Sequence, residues 1–247
     1  MNGLITAIRT LTILPVGGRD ADDFASSLPF FPLIGGLVGS AAAATAWLII
    51  RYTGWYEAAA VSAITVTFVL TGGLHLDGFA DVCDSLGGRT PERRLEIMKD
   101  THKGSFGVAG IVVLCLAKYV CLVKLLAVGG FVWLIVSAVC SRLVQVLMAI
   151  VLPYARRNGG TASSFVQGAK VEHFLVASAL TLLITTGLCR YDGFSAMAVS
   201  LGAGLLLALW SKKMFGGVTG DVLGMSSETV ETLILAFGVL ACRSGAL

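Results

Sequence analysis

Long uncharged runs alternate with short charged stretches along the whole chain. The runs are Phe31–Ile50, Ala58–Leu74, Ser105–Leu122, Leu125–Leu152, Phe174–Cys189, Phe194–Ser211 and Thr229–Cys242. The fourth is long and interrupted by Arg142, the third ends near Lys118 and Lys124, with Lys118 inside it, and the seventh is short. Apolar helices of about 20 residues cross the ~30 Å hydrocarbon layer. The pattern therefore predicts an all-α fold: a polytopic integral membrane helical bundle of about seven transmembrane helices, in which short cytoplasmic helices carry the polar residues. Residues 1–247 read as a single membrane domain. The first fifteen residues hold Arg9 in the middle of an apolar stretch and no small-residue cleavage site, so they read as an interfacial helix rather than a cleavable signal.

Composition supports this picture. The chain is 56% hydrophobic and 13% charged with a mean hydropathy of +0.85, against about 25% charged in a soluble domain. No hydrophilic block is long enough to form a separate soluble domain, and nothing points to a nucleic-acid partner. The six cysteines contain no CxxC pair and read as small buried hydrophobes. Charge placement sets the orientation. If the segments 1–30, 75–104, 153–173 and 212–228 share one side, that side holds 12 of the 18 lysines and arginines. By the positive-inside rule it is cytoplasmic. His75, His102 and His173 fall there as well.

The most informative polar stretch follows the second run. In Gly72-Gly73-Leu74-His75-Leu76-Asp77-Gly78-Phe79-Ala80-Asp81-Val82-Cys83-Asp84, the three aspartates are spaced by four and then three residues, one face of a helix. Like charges on one stripe repel one another unless a cation sits among them. A solvated loop that only fixes topology is the competing reading, and it leaves that repulsion uncompensated. Carboxylates at this spacing suit magnesium, which takes a few protein oxygens and completes its shell with substrate phosphates. After a break at Leu86-Gly87-Gly88, Thr90 and Pro91 predict the start of a second helix that ends at Lys103-Gly104. Arg93, Glu96 and Asp100 share one of its faces, and arginines suit bidentate contact with phosphate. His75 and His102 taken singly have structural roles as the simpler reading.

A second constellation precedes the last run: Gly216-Gly217-Val218-Thr219-Gly220-Asp221-Val222-Leu223-Gly224, four glycines around one aspartate. Such a loop lets backbone approach a ligand closely, and Asp221 sits where the chain re-enters the membrane, ahead of Glu228 and Glu231. A tight helix connection capped by Asp221 is the competing reading. Arg142, inside an apolar run, needs a partner such as one of these carboxylates. Phe30 to Gly36 reads as close helix packing, and Arg156-Arg157-Asn158-Gly159-Gly160 reads either as an anion site or as a positive-inside anchor.

These residues carry a resemblance. The run Gly72 to Gly78 with Ala80-Asp81 and Asp84, the run Arg93 to Asp100, Gly104 with Phe106-Gly107, and Gly217 to Asp221 with Leu223-Gly224 are similar to the cobalamin synthase family, the adenosylcobinamide-GDP ribazoletransferases of vitamin B12 assembly. Leu152 to Lys170 and the Phe-Pro start of the first run fit too, so the similarity covers essentially the whole chain in order. Ser85, Thr101-His102-Lys103 and Met225 depart from the usual pattern. They leave the acidic triplet intact and leave open which basic side chain grips a diphosphate.

The resemblance implies a magnesium-dependent enzyme of the bacterial inner membrane whose site faces the cytoplasm. Its substrates would be adenosylcobinamide-GDP and α-ribazole or its phosphate. The ribazole would be joined to the corrinoid phosphate with release of GMP. The implied partners are membrane lipid and either a second copy of the chain or other enzymes of the pathway. The candidate catalytic set is Asp77, Asp81, Asp84, Asp100 and Asp221, with Asp77, Asp81 and Asp84 on Mg²⁺. Asp100 and Asp221 are open between general base and further metal ligand. His75, Arg93, Arg94, Lys99, Lys103, Arg142, Gly217 and Gly220 are the candidate phosphate and substrate contacts. The acidic motif also loosely resembles CDP-alcohol phosphotransferases, although Asp81 directly follows Ala80 where that pattern has arginine. A cation transporter is a third reading, disfavoured because the acids cluster at one face and no internal repeat is visible.

Overall fold

A computed structural model describes residues 2–100, 102, 104–156 and 159–243, the side chain of Arg243 excepted. Among them the chain is helical, with one isolated β-bridge and no strand. Helix α1 (Asn2–Leu11) is amphipathic and leads through a 3₁₀ turn (Phe24–Phe30) into α2 (Phe31–Thr53). Arg9 strapped to the Val16 carbonyl at 2.8 Å and to Asp20 at 3.1 Å folds the intervening loop back along α1. Then follow α3 (Tyr56–Leu70), α4 (Leu74–Ser85), α5 (Pro91–Ile97), α6 (Ser105–Ala127), α7 (Val132–Val151), α8 (Ser163–Gln167), α9 (Val171–Phe215) and α10 (Gly220–Arg243). All six cysteines are unpaired.

Helix α7 is the buried axis of the bundle, and glycines let its neighbours come close. A Cβ at Gly35 or Gly39 of α2 would lie 2.5 Å from the Ala138 carbonyl or 2.6 Å from that of Leu134. Gly204 of α9 meets Val144 and Gly238 of α10 meets the Trp133 ring in the same way. In lipid, where apolar burial between helices gains little, this backbone proximity supplies the packing. The small-residue reading of Phe30 to Gly36 holds.

Five of the described helical segments are long and apolar enough to cross a membrane, six if α3 and α4 count as one bent pair. The chain is a multi-pass membrane protein. The expected count of seven requires α9 to be divided. As one rod its 45 residues would run about 67 Å, over twice the hydrocarbon thickness. It is interrupted at Arg190, whose φ of 50° and ψ of −123° leave the helical region. A side chain at Gly193 would collide with the carbonyl of Thr185, eight residues earlier, so the chain doubles back at the break.

Among the described residues, four buried charges pair with one another inside the bundle. Lys118 of α6 donates to Glu228 (2.6 Å) and Glu231 (2.8 Å) of α10, and Arg142 of α7 donates to Glu231 (3.2 Å) and to Ser227 (2.7 Å). All four side chains are buried. Two cations and two anions cancel, which is the arrangement under which buried ions are tolerated. The partner that Arg142 needs is Glu231. Its guanidinium is thereby paired within the bundle.

Candidate active site

The site is built where α4 crosses α10. Gly72 and Gly73, at φ of 58° and 70°, turn the chain by 91° between α3 and α4, so the acidic helix lies across the end of the bundle. Only glycine enters that left-handed region at no steric cost. The crossing is close: a Cβ on Gly78 would sit 2.7 Å from the Asp221 carbonyl, and one on Gly224 would sit 3.1 Å from the His75 backbone. The two glycine motifs of the sequence thus face each other and bring Asp77 and Asp221 to one place.

That place is a cavity of about 330 Å³. Asp77 and Asp221 line it with His75, Gln145 and Gly220, and Leu11, Leu28, Phe31 and Phe165 form its apolar wall. Asp77 also lines a wider groove of about 540 Å³ that runs past Arg9, Thr12, the Gly72-Gly73 turn and Ile111. Arg156 donates to Asp221 at 2.6 Å, and the Thr219 hydroxyl lies 3.3 Å from the same oxygen. Tyr154 stands beside this pair, and partial burial pushes its phenol above the ordinary value. The backbone around Tyr154 is fixed by reciprocal bonds, Val218 N to the Pro153 carbonyl and Ala155 N to that of Val218, both 2.9 Å.

The acidic triplet divides. Among the described residues no group of three His, Cys, Asp or Glu side chains is gathered to hold a metal. Asp84 is turned onto the start of α6, where its oxygens accept the N–H groups of Gly104 (2.8 Å) and Gly107 (2.7 Å). These are orphan donors of a helix N-terminus, so Asp84 acts as a remote cap. Asp81, one turn beyond Asp77, is buried and does not line the cavity.

The second predicted helix starts as expected, with Thr90 accepting the Arg93 N–H at 3.2 Å, and stops at Ile97 instead of Lys103. Asp100 therefore lies in an exposed loop. Its carboxylate accepts the His102 N–H at 3.0 Å and meets that ring at 2.8 Å, which holds it below the usual carboxylate range. Arg93 pairs with Glu96 at 3.0 Å in solvent, Lys99 is exposed, and Arg94 caps the end of α9 through the Met214 carbonyl at 3.1 Å. None of these lines the cavity, and Lys103 lies outside the described residues. Gly217 is a glycine because the Pro153 carbonyl passes against it, whereas Gly220 opens onto the cavity.

A family model for cobalamin-5-phosphate synthase matches residues 3–239 of the chain. The chain belongs to the cobalamin-5-phosphate synthase family. Curated relatives agree along nearly their whole length. A protein of Chlorobium phaeobacteroides, named adenosylcobinamide-GDP ribazoletransferase, is 47% identical over 97% of this chain and 98% of its own. Proteins of the same name from Chlorobium phaeovibrioides and Syntrophobacter fumaroxidans are 44% and 37% identical, over 97% and 94% of this chain and 98% and 90% of theirs. No solved structure matches.

Within this synthase-family chain, one cavity residue, Gln145, and the partner of another, Arg156, have little sequence signal. Gln145 sits in an apolar helix whose one charge, Arg142, lies a turn earlier. Arg156 stood in a basic run that served equally as a membrane anchor, and only the fold joins it to Asp221, 65 residues away.

Proposed function

We propose that the chain transfers the adenosylcobinamide phosphate group of adenosylcobinamide-GDP to α-ribazole or its 5′-phosphate, with release of GMP. The observation that carries this reading is the meeting of Asp77 and Asp221, from two glycine motifs, at one cavity that opens onto a wide groove. Family membership and the relatives' names support the same chemistry.

The carboxylate of Asp77 suits Mg²⁺: it offers hard oxygens beside space for a diphosphate that would complete the coordination, with Asp81 one helical turn further along α4. Magnesium bound there supplies charge neutralisation for the diphosphate and the leaving GMP. The chain's own groups do the rest. Asp221, steadied by Arg156, takes the proton from the ribazole hydroxyl as its oxygen bonds to the phosphorus nearer the corrinoid. The bond from that phosphorus to the GMP oxygen breaks, and GMP leaves with the electron pair. Arg156 stabilises the negative charge beside it. The apolar wall limits water and thereby hydrolysis of the donor.

Distribution of lysine and arginine supports an inner-membrane protein whose cavity faces the cytoplasm, where a nucleotide-bearing donor is found. The test is GMP release by purified, membrane-reconstituted protein given adenosylcobinamide-GDP and α-ribazole phosphate, with Mg²⁺ or with EDTA. Magnesium-dependent GMP together with a cobalamin product is expected. Folded protein that produces neither, yet turns over CDP-alcohols, would overturn the reading.

A further inference from the structure

Two buried polar side chains on the cavity wall are unused by the chemistry above. Gln145 is 3% exposed, and its Nε2 donates to the Leu223 carbonyl at 3.2 Å. A carbonyl can only accept, so that bond fixes the orientation of the amide. Oε1 is left without a donor among the described residues. His75 is 1% exposed, and neither ring nitrogen has a partner there. Leaving a buried polar atom unpaired costs about 1–3 kcal/mol. Three such atoms on one wall of one cavity mark groups that a ligand satisfies.

The unmet needs define that ligand. Oε1 requires a donor, and a neutral imidazole offers one donor and one acceptor. Around them the wall is apolar and aromatic, with Phe31 and Phe165 at a centroid distance of 6.0 Å. The occupant is a flat ring with both N–H groups and bare acceptors along its edge. Guanine has this edge: its N1 and N2 hydrogens suit Gln145 Oε1, and its O6 or N7 suits the His75 N–H. A benzimidazole base has one bare ring nitrogen and no N–H, so only the ribose hydroxyls of its nucleoside could donate to Oε1. The cavity and the open groove share Thr10, Leu74 and Asp77, so a ligand with two unlike halves can span both, with its linking phosphates at Asp77.

We infer that the cavity is the guanine-nucleotide subsite for the donor, read by Gln145 and His75, while the groove receives the corrinoid half. This rests on the reading of function given above, and the two fail separately. Binding of GMP alone, measured calorimetrically with purified protein and MgCl₂, needs no turnover. The unaltered protein should bind GMP, and Gln145→Leu should weaken it roughly tenfold, the loss of one buried hydrogen bond. In the steady state the same variant should raise KM for adenosylcobinamide-GDP by a similar factor, with kcat and KM for α-ribazole phosphate nearly unchanged. Leucine fills the same space and removes an unpaired oxygen, so the variant should melt within a few degrees of the parent. His75→Phe should repeat the pattern. A rise in KM for α-ribazole phosphate instead would assign the cavity to the acceptor and overturn the inference. So would GMP affinity that is equal in parent and variants.

Discussion

Asp77 and Asp84 lie seven residues apart on one helix and have different neighbours. Asp77 faces a cavity and a groove, whereas Asp84 is held by two amides of α6. Asp77→Asn should therefore lower GMP release by roughly a hundredfold or more while the melting temperature stays put. Asp84→Ala should do the reverse first: losing bonds from two N–H groups to a charged acceptor costs about 1.5–3 kcal/mol for each, read as a lower melting temperature in detergent. Equal loss of activity at unchanged stability in both variants would contradict this division. The 3.6-residue period placed the aspartates on one stripe, and they are on one helix. It carried no information on which neighbouring helix each would meet, because the contacts of Asp84 lie 20 and 23 residues further along the chain.

At the scale of elements, uncharged runs located the membrane helices well, since apolar length is what the bilayer requires. The α3–α4 corner was legible too, because Gly72-Gly73 can hardly be anything but a turn. The stop at Ile97 was not. Propensity continues to Lys103, and what ends α5 is its packing against α4 and α9, with Arg94 spent on the Met214 carbonyl. The bundle's interior charges also joined only in three dimensions. Glu231 receives both Lys118 and Arg142, so Glu231→Ala would leave two buried cations with one anion. A destabilisation of about 3–5 kcal/mol is expected, and Glu231→Gln should recover only part of it. Denaturant midpoints in detergent measure it, and a change under 1 kcal/mol would mean that the pairs contribute little.

For the whole molecule, segments scattered from Thr10 to Gly224 close one cavity: Thr10 and Leu11, Phe31, His75 and Asp77, Gln145, Phe165, and Gly220, Asp221, Leu223 and Gly224. Almost all were assigned to the same side of the membrane by their basic neighbours, which is how far sequence reaches here. The orientation can be checked directly. Reporters fused after Arg51 and at Arg190 should both report the outer side, and one after Gly168 the cytoplasm; a cytoplasmic signal from the first two would invert the topology.

The cancelled charges of the interior carry a consequence for biosynthesis. Lys118 leaves the ribosome 110 residues ahead of Glu228, an interval of about 5–20 s at ordinary elongation rates. Throughout it Lys118 and then Arg142 sit in the membrane without their carboxylates, each at roughly 2.5–3.5 kcal/mol on the insertion scale. The last helix to emerge is the one that neutralises them. A nascent chain without α10 thus differs from the finished protein by two cations in the membrane that lack their carboxylates.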